Sequence, residues 1–206
     1  MKLILVRHGE TASNLKMALD TRPPGPPLTE AGVAQAAALA ADLAATERVT
    51  AVYASTAVRA QQTAAPVAAA FGLDVEVLEG VHEIFCGDLE GRHDKEAFEL
   101  FLVAVHAWTA GDLDATIPGG ESGRQVIDRF VAAVGKQAAR HRPDETVVLV
   151  SHGGAIRMGA LGLATNVRPV LAETGLLPNT GRVVLEDGED GWVCTSWTGV
   201  DPLPGR

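Results

Sequence analysis

The sequence predicts an α/β protein in which a mainly parallel sheet is covered by helices on both faces. Short apolar runs alternate along the chain with longer helical segments, which is the pattern of parallel strands joined by crossover helices. Two of these runs, Leu3–Val6 and Val147–Val150, are continuously apolar and predict strands buried in the centre of the sheet. Each is followed within two residues by a histidine, His8 or His152.

The first part of the chain is predicted to hold one strand, a long loop and one helix. Residues 2–7 form the strand, and the polar loop after it ends in Arg22–Pro27, whose prolines exclude helix and central strand. Thr29 is expected to cap an alanine-rich helix that runs from Glu30 to about Ala45.

The next segment is predicted to repeat this order of strand, helix and strand. Thr50–Ala54 is the second strand, and Ser55 is expected to cap the following helix, which carries Arg59. Pro66 is expected to kink or split that helix near its middle. Asp74–Leu78 is predicted to be a short edge strand.

Residues 79–121 form the least regular part of the sequence, with a predicted helix near Asp94–Ala107 and a loop through Pro118–Gly120. After this loop, Ser122-Gly-Arg-Gln125 is a capping-box pattern that predicts a helix extending to about His141.

The end of the chain is predicted to add a central strand and a hairpin to the sheet. Thr146–Val150 is the strand before His152, and a helix is expected after it. Arg182–Glu186 and Trp192–Ser196, separated by Asp-Gly-Glu-Asp-Gly, predict a closing hairpin. Residues 201–206 are expected to be a frayed tail.

Composition favours a single cytoplasmic globular domain over residues 1–206. Hydrophobic residues make up 47% of the chain and charged residues 21%, as expected for a protein with a sizeable core. The net charge of −9 disfavours a nucleic-acid or membrane partner, which would need clustered cations. Cys86 and Cys194 are far apart, which fits a reducing compartment. No apolar run approaches the roughly 18 residues of a membrane span.

The two histidines predict a site at one edge of the sheet. In open α/β sheets ligands bind beyond the carboxyl ends of the strands. If the two strands are neighbours, His8 and His152 face each other there, with Arg7 beside them. A neutral imidazole is a nucleophile, and arginine matches the geometry of phosphate. The first hypothesis is therefore phosphoryl transfer through a phosphohistidine.

Further residues supply the other groups that such a site needs in the absence of a metal. Arg59 lies in the first turns of its helix, where amides also favour an anion, and a protonated His152 would join it around the phosphoryl oxygens. Thr11 and Asn14 add neutral donors, although Asn14 could instead be a simple loop cap.

Glu83 is the candidate acid. It lies in the apolar stretch Val81–Gly87, where an unpaired carboxylate would be costly. Burial is expected to raise its pKa and to suit it to proton donation. The alternative interpretation is an ordinary surface carboxylate.

These residues fall in blocks that resemble the histidine phosphatase superfamily, which includes cofactor-dependent phosphoglycerate mutases. The blocks run in the family's order from residue 3 to about residue 157, and they are Leu5–Thr11 with Asn14, Pro27–Gly32 with Gln35-Ala36, Ser55–Ala60 with Thr63-Ala64, Glu83 with Gly87 and Glu90-Gly91, Gly120–Ser122, and Val150–Gly153. Each block alone is weak, but together and in this order they are specific.

The resemblance implies a role for each site residue. It implies that His8 is the phosphorylated nucleophile and that Glu83 is the general acid and then the base. The implied phosphate pocket comprises Arg7, Arg59 and His152, assisted by Asn14, and we place Thr11 and Gly153 among the substrate-binding residues. The resemblance also implies a three-layer α/β/α sandwich on a mixed sheet of about six strands, and no metal. We expect no cofactor for the hydrolysis.

The activity that we expect is hydrolysis of a small phosphate ester. A phosphoglycerate mutase, the main alternative, must hold a second anionic group, and in that branch the cations come largely from a longer basic insert. Here residues 88–118 contain two basic residues, Arg92 and Lys95, against seven acidic ones. A non-enzymatic module that binds a phosphorylated ligand is the remaining alternative. The oligomeric state is open, and a dimer is possible.

Overall fold

The computed structural model of the chain describes residues 1–169 and 177–200. Six strands within them form one mixed sheet in the order β3-β2-β4-β1-β5-β6. The strands are β1 (Lys2–Arg7), β2 (Val49–Ser55), β3 (Val75–Leu78), β4 (Thr146–Ser151), β5 (Arg182–Gly188) and β6 (Gly191–Trp197). The first four are mutually parallel, whereas β5 pairs antiparallel with β1 and β6 antiparallel with β5. The predicted mixed, mainly parallel sheet is confirmed.

Helices cover both faces of this sheet. The described helices are α1 (Ala12–Leu15), α2 (Glu30–Thr46), α3 (Val58–Ala70), α4 (Lys95–Thr109), α5 (Gly123–Ala138) and α6 (Gly153–Leu163). Because side chains alternate along a strand, β1 serves two cores. Its Ile4 and Val6 share a core with side chains of α2 and α3, and its Leu3 and Leu5 share one with side chains of α5 and α6. The result is the three-layer α/β/α arrangement.

A third apolar cluster packs α4 against the irregular segment that precedes it. The fully buried Trp108 of α4 lies in this cluster with Ile84, Cys86 and Val126. The indole Nε1 of Trp108 donates a hydrogen bond of 2.7 Å to the carbonyl of Ala115. These contacts position the residues that follow Glu83, although residues 79–86 are neither helix nor strand.

Most predicted helix and strand boundaries agree with the structure to within about three residues. Thr29 caps α2 through a bond from the amide of Gly32 to its Oγ1, and Ser122 and Gln125 form the expected capping box of α5. The α5 helix ends at Ala138, three residues before the predicted end. Residues 201–206, predicted as a frayed tail, lie outside the described residues.

Of the kink or split expected at Pro66, the split is wrong. The α3 helix runs without interruption from Val58 to Ala70. The carbonyl that loses its partner to the proline ring belongs to Gln62, which is exposed and can bond to water. On the opposite side, buried residues before and after Pro66, such as Ala64 and Val67, pack in the same core and stabilise the helix across it.

The expectation that Ser55 caps this helix is also wrong. Ser55 is the last residue of β2, and α3 begins only at Val58, with Ala57 as an N-cap that makes no side-chain hydrogen bond. No helix in the described part of the chain is long and apolar enough to cross a bilayer.

Candidate active site

The two strands that carry the histidines are neighbours in the sheet. β1 and β4 pair in parallel with Arg7 opposite Ser151, and the amide of His8 donates to the carbonyl of Ser151 at 3.0 Å. His8 and His152 therefore leave the sheet at the same edge, and their ring centroids lie 5.2 Å apart. The structure brings together the two side chains that sequence reasoning placed across the crevice.

A cavity of about 540 Å³ opens at this edge. Seven of the eight predicted site residues line it, namely Arg7, His8, Thr11, Asn14, Arg59, Glu83 and Gly153. The eighth, His152, is 1% exposed and lies against His8. Apolar side chains from α4 and from the segment after Glu83 form another part of the wall.

Hydrogen bonds determine the protonation of His8. Its Nδ1 lies 2.7 Å from the carbonyl oxygen of Gly9, which can only accept, so Nδ1 carries the proton. Its Nε2 accepts a hydrogen bond of 3.2 Å from Nε of Arg59. Burial, reinforced by the charge of Arg59, lowers the pKa of His8 to about 3. His8 is thus a neutral imidazole whose Nε2 holds a lone pair.

His152 is neutral as well, in the opposite tautomer. Its Nδ1 accepts from Nη2 of Arg59 at 3.3 Å, and its Nε2 donates to the hydroxyl of Ser55 at 2.8 Å. Burial and the neighbouring His8 and Arg59 lower the pKa of His152 well below its ordinary value. The cationic His152 expected from the sequence therefore needs the charge of a bound phosphate to take up its second proton.

Arg59 connects the two histidines. Its side chain is 3% exposed, and its Nη2 also donates to the carbonyl of Asp20 at 3.1 Å. Its buried Nη1 has no hydrogen-bond acceptor among the residues that the structure describes, and Oδ1 of Asp20 lies 3.9 Å away. A buried cation with incomplete hydrogen bonding is typical of an anion-binding site.

Arg7 lines the same cavity as His8 and Arg59. Its Nη1 donates a hydrogen bond of 2.7 Å to the carbonyl of Leu177. A Cβ added to Gly153 would lie 3.3 Å from Cδ of Arg7, so the glycine allows this side chain to pass the start of α6. Gly153 thus serves the cavity through its lack of a side chain.

Thr11 and Asn14 form the capping box of α1. The amide of Asn14 donates to Oγ1 of Thr11, and Oδ1 of Asn14 accepts from the amide of Thr11 at 3.1 Å. The same Oδ1 accepts from Nδ2 of Asn179, which also donates to the carbonyl of His8. Asn14 is therefore a loop cap that also lines the cavity, where it can offer its Nδ2 to a ligand.

Glu83 is held differently from what its apolar neighbours predict. Its carboxylate is half-buried, yet it accepts hydrogen bonds from the amides of Ile84, Gly154 and Ala155 at 2.8 to 3.1 Å. Two of these amides belong to the first turn of α6, where the helix dipole favours negative charge. A Cβ on Gly154 would lie 2.8 Å from Oε1 of Glu83, so this glycine makes room for the carboxylate.

The neutral, buried histidines make stability depend on pH. In the unfolded chain histidine has a pKa near 6.5. Below that pH the unfolded chain therefore binds protons at His8 and His152 that the folded protein does not bind. We expect the free energy of unfolding to fall as pH decreases from about 6.5 towards 3, by up to about 1.4 kcal/mol per pH unit for each histidine. Above pH 6.5 the two histidines add no slope.

Urea denaturation across this pH range tests the expectation. The variant His152→Asn should flatten the slope below pH 6.5, whereas His93→Asn, which replaces an exposed histidine, should leave it unchanged. Identical slopes in the original protein and in His152→Asn would contradict the neutral state assigned to His152.

Sequence reasoning missed several residues of the site, and four of them contact the predicted site residues directly. Ser55 forms a hydrogen bond with His152, and Asn179 donates one to the carbonyl of His8 in the loop after β1. The carbonyl of Asp20 accepts a hydrogen bond from Arg59, and Gly154 has no side chain that would clash with Glu83. Only Ser55 carried a usable signal, since it ends a parallel strand at the same edge as the histidines. The other three become site residues only through contacts that are distant in sequence.

Comparison with known proteins identifies a matching family. The model of the histidine phosphatase superfamily (branch 1) matches residues 3–199. A solved mycobacterial glucosyl-3-phosphoglycerate phosphatase in complex with VO3 has the same fold, with a TM-score of 0.82 and 27% sequence identity over 95% of this chain and 98% of that chain.

Curated relatives carry several names. The metal-independent phosphoserine phosphatase of Arabidopsis thaliana is 33% identical over 98% of this chain and 83% of its own length. Phosphoglycerate mutase-like protein 4 of the same plant is also 33% identical, over 98% of this chain and 86% of its own length. The PE-PGRS family protein PE_PGRS11 of Mycobacterium tuberculosis is 36% identical over 97% of this chain, which spans only 36% of that relative's length.

Proposed function

Because this chain belongs to the histidine phosphatase superfamily, we propose that it is a metal-independent phosphomonoester hydrolase that works through a phosphohistidine on His8. The observation that carries the proposal is the state of His8, a buried neutral imidazole with an unprotonated Nε2 between Arg59 and the cavity. Such a group combines a nucleophile with an adjacent cation, which phosphoryl transfer requires.

In the first step the phosphoryl group of the substrate displaces Nε of Arg59 from His8. Arg7 and Arg59 then bind the phosphoryl oxygens, and the added negative charge raises the pKa of His152 so that it can join them as a cation. Nε2 of His8 attacks phosphorus in line as the bond to the ester oxygen breaks. The negative charge of the bound phosphoryl group disfavours a second anion beside it, so Glu83 enters this step protonated, and it donates the proton that the leaving oxygen needs.

The hydrogen bond from Nδ1 of His8 to Gly9 stabilises the positive charge that the ring gains during this attack. In the second step the Glu83 carboxylate takes a proton from water as the water oxygen bonds to phosphorus and the N–P bond breaks. Phosphate leaves, His8 is again neutral, and Glu83 carries the proton needed for the next cycle.

The position of the cations favours hydrolysis over the mutase alternative. Arg92 bonds to Asp94 and Glu96, and the exposed Lys95 pairs with Glu99. Neither cation lines the cavity, to which α4 contributes the rings of Phe98 and Phe101 instead. Among the described residues of the cavity wall, Arg157 is the one cation besides those of the phosphate pocket. A second anionic group on the substrate therefore has Arg157 as its one cationic partner among these described residues, and residues 88–118 supply none.

Phosphate release from a panel of phosphorylated metabolites, with a 3-phosphoglycerate mutase assay in parallel, tests the proposal. We expect hydrolysis of at least one ester, mutase turnover below it, and full activity in EDTA. Loss of activity in EDTA would contradict the metal-independent mechanism, and faster mutase turnover would favour the alternative. Phosphate binding without any turnover would favour a binding module.

Composition also supports a proposal about the ligand class and the cellular compartment. A net charge of −9 suits small phosphate esters as ligands better than nucleic acid or a membrane surface, which bind through clustered cations. We also propose that residues 1–206 form one domain and act in the cytoplasm, since Cys86 and Cys194 lie far apart in the sequence, as is common in a reducing compartment.

A further inference from the structure

Arg129 of α5 binds the backbone of the segment that carries Glu83. Its Nη1 donates to the carbonyl oxygens of Gly80 and His82, both at 2.8 Å, and its Nη2 donates to the carbonyl of Glu83 at 3.1 Å. One guanidinium thus holds three carbonyl groups within four residues. Because this segment is neither helix nor strand, these carbonyls have no regular backbone partners.

Glu121 binds the other side of the same segment. Its carboxylate accepts two hydrogen bonds from Arg129, from Nε at 2.7 Å and from Nη2 at 2.9 Å. Its Oε2 also accepts from the amide of Phe85 at 2.8 Å, and its own amide donates to the carbonyl of Phe85. Glu83 therefore lies between two anchored points of the backbone.

The pair is rigid and charged. The side chains of Arg129 and Glu121 are 15% and 16% exposed, and their two-pronged hydrogen bonding fixes the plane of both groups. Burial alone would raise the pKa of Glu121, but the hydrogen bonds from Arg129 and from the amide of Phe85 outweigh it and lower the pKa. Glu121 therefore remains ionised, and the charge pair persists.

We propose that Arg129 and Glu121 are positioning residues for proton transfer by Glu83. They fix the backbone on both sides of Glu83, so that its carboxylate stays against the amides of Gly154 and Ala155, at the cavity wall. A shift of about 1 Å in a reacting group can cost roughly 100-fold in rate. This inference depends on the proposed role of Glu83, and neither residue of the pair lines the cavity.

The variant Arg129→Met tests the inference through its dependence on the leaving group. We expect kcat/KM for an alkyl phosphate to fall by about 10- to 100-fold, and that for 4-nitrophenyl phosphate by less than about threefold, because only the poor leaving group needs the proton. Arg124→Met is the matched control, since it removes an exposed ion pair with Asp114 from the same helix. It should change neither value.

A double-mutant cycle separates positioning from a general loss of stability. In a Glu83→Gln background, Arg129→Met should have almost no further effect on the alkyl phosphate, because the proton donor is already absent. Full additivity, or an equal loss on both substrates, would overturn the inference. If Arg129→Met does not fold, Glu121→Gln carries the same test with the same expected selectivity.

These outcomes are distinct from a failure of the proposed function. Every arm of the experiment compares variants with hydrolysis by the unmodified protein. Absence of that hydrolysis would contradict the proposed function itself, whereas hydrolysis with an unselective Arg129→Met would contradict only the positioning role.

Discussion

Replacement of His8 by alanine is expected to lower kcat by roughly 10⁴-fold or more and to abolish the phosphoenzyme. Among the described residues that line the cavity or contact His8, we find no equivalent nucleophile, since burial raises the pKa of the Cys86 thiol and keeps it protonated. His152 is buried behind His8, its Nε2 proton points to Ser55, and its Nδ1 faces Arg59. Loss of His8 should therefore abolish the covalent route.

The measurement is incubation with a labelled phosphate ester followed by rapid quenching. The unmodified protein should retain label that is lost in acid and stable in base, as a phosphohistidine is, and His8→Ala should retain none. His93→Ala removes an exposed histidine and serves as the control, with normal labelling and normal turnover. Persistent labelling of His8→Ala under turnover conditions would overturn the assignment of the nucleophile.

Replacement of Glu83 by glutamine should have the second largest effect, and one that depends on the substrate. We expect kcat/KM for alkyl phosphates to fall by roughly 10²–10⁴-fold, the usual contribution of general acid catalysis. The aryl oxide of an activated aryl phosphate can leave without being protonated, so kcat/KM for that substrate should change far less. Glutamine keeps one oxygen for the amides of Ile84 and Ala155, and the loop should therefore stay in place.

Pre-steady-state kinetics extend this test to the second step. Without Glu83 as base, water should attack the phosphohistidine slowly, and Glu83→Gln should accumulate phosphoenzyme with a burst of the aryl alcohol. Glu79→Gln, which changes an exposed carboxylate four residues earlier, should show neither effect. Equal losses of kcat/KM for alkyl and aryl phosphates would contradict the role of Glu83 as the acid.

The fold was accessible from sequence because its signals are local. Continuous apolar runs identified β1 and β4, and the capping residues Thr29 and Ser122 gave the starts of their helices. Such patterns depend on residues within one or two turns of each other. Where a local rule failed, as at Pro66, packing of the whole helix against the sheet outweighed it.

The candidate site was accessible only in part. His8, Arg7 and His152 follow strands whose carboxyl ends share an edge, so the order of the strands alone brings them together. The partners of Glu83 follow no such rule, since its hydrogen bonds reach α6, 71 and 72 residues further along the chain. An apolar neighbourhood in sequence therefore suggested a costly, unpaired carboxylate that the structure does not contain.

The sequence by itself determined the α/β architecture, the residues at the ends of β1 and β4 and, through its motifs, the resemblance to a family. The tertiary structure alone decided the protonation of the two histidines, the partner of Ser55 and the anchoring of Glu83 by Arg129 and Glu121. The physical reason is the separation along the sequence of the residues that interact. Secondary structure follows from neighbours along the chain, whereas hydrogen-bond partners and pKa values follow from burial and charges that only the folded chain brings together.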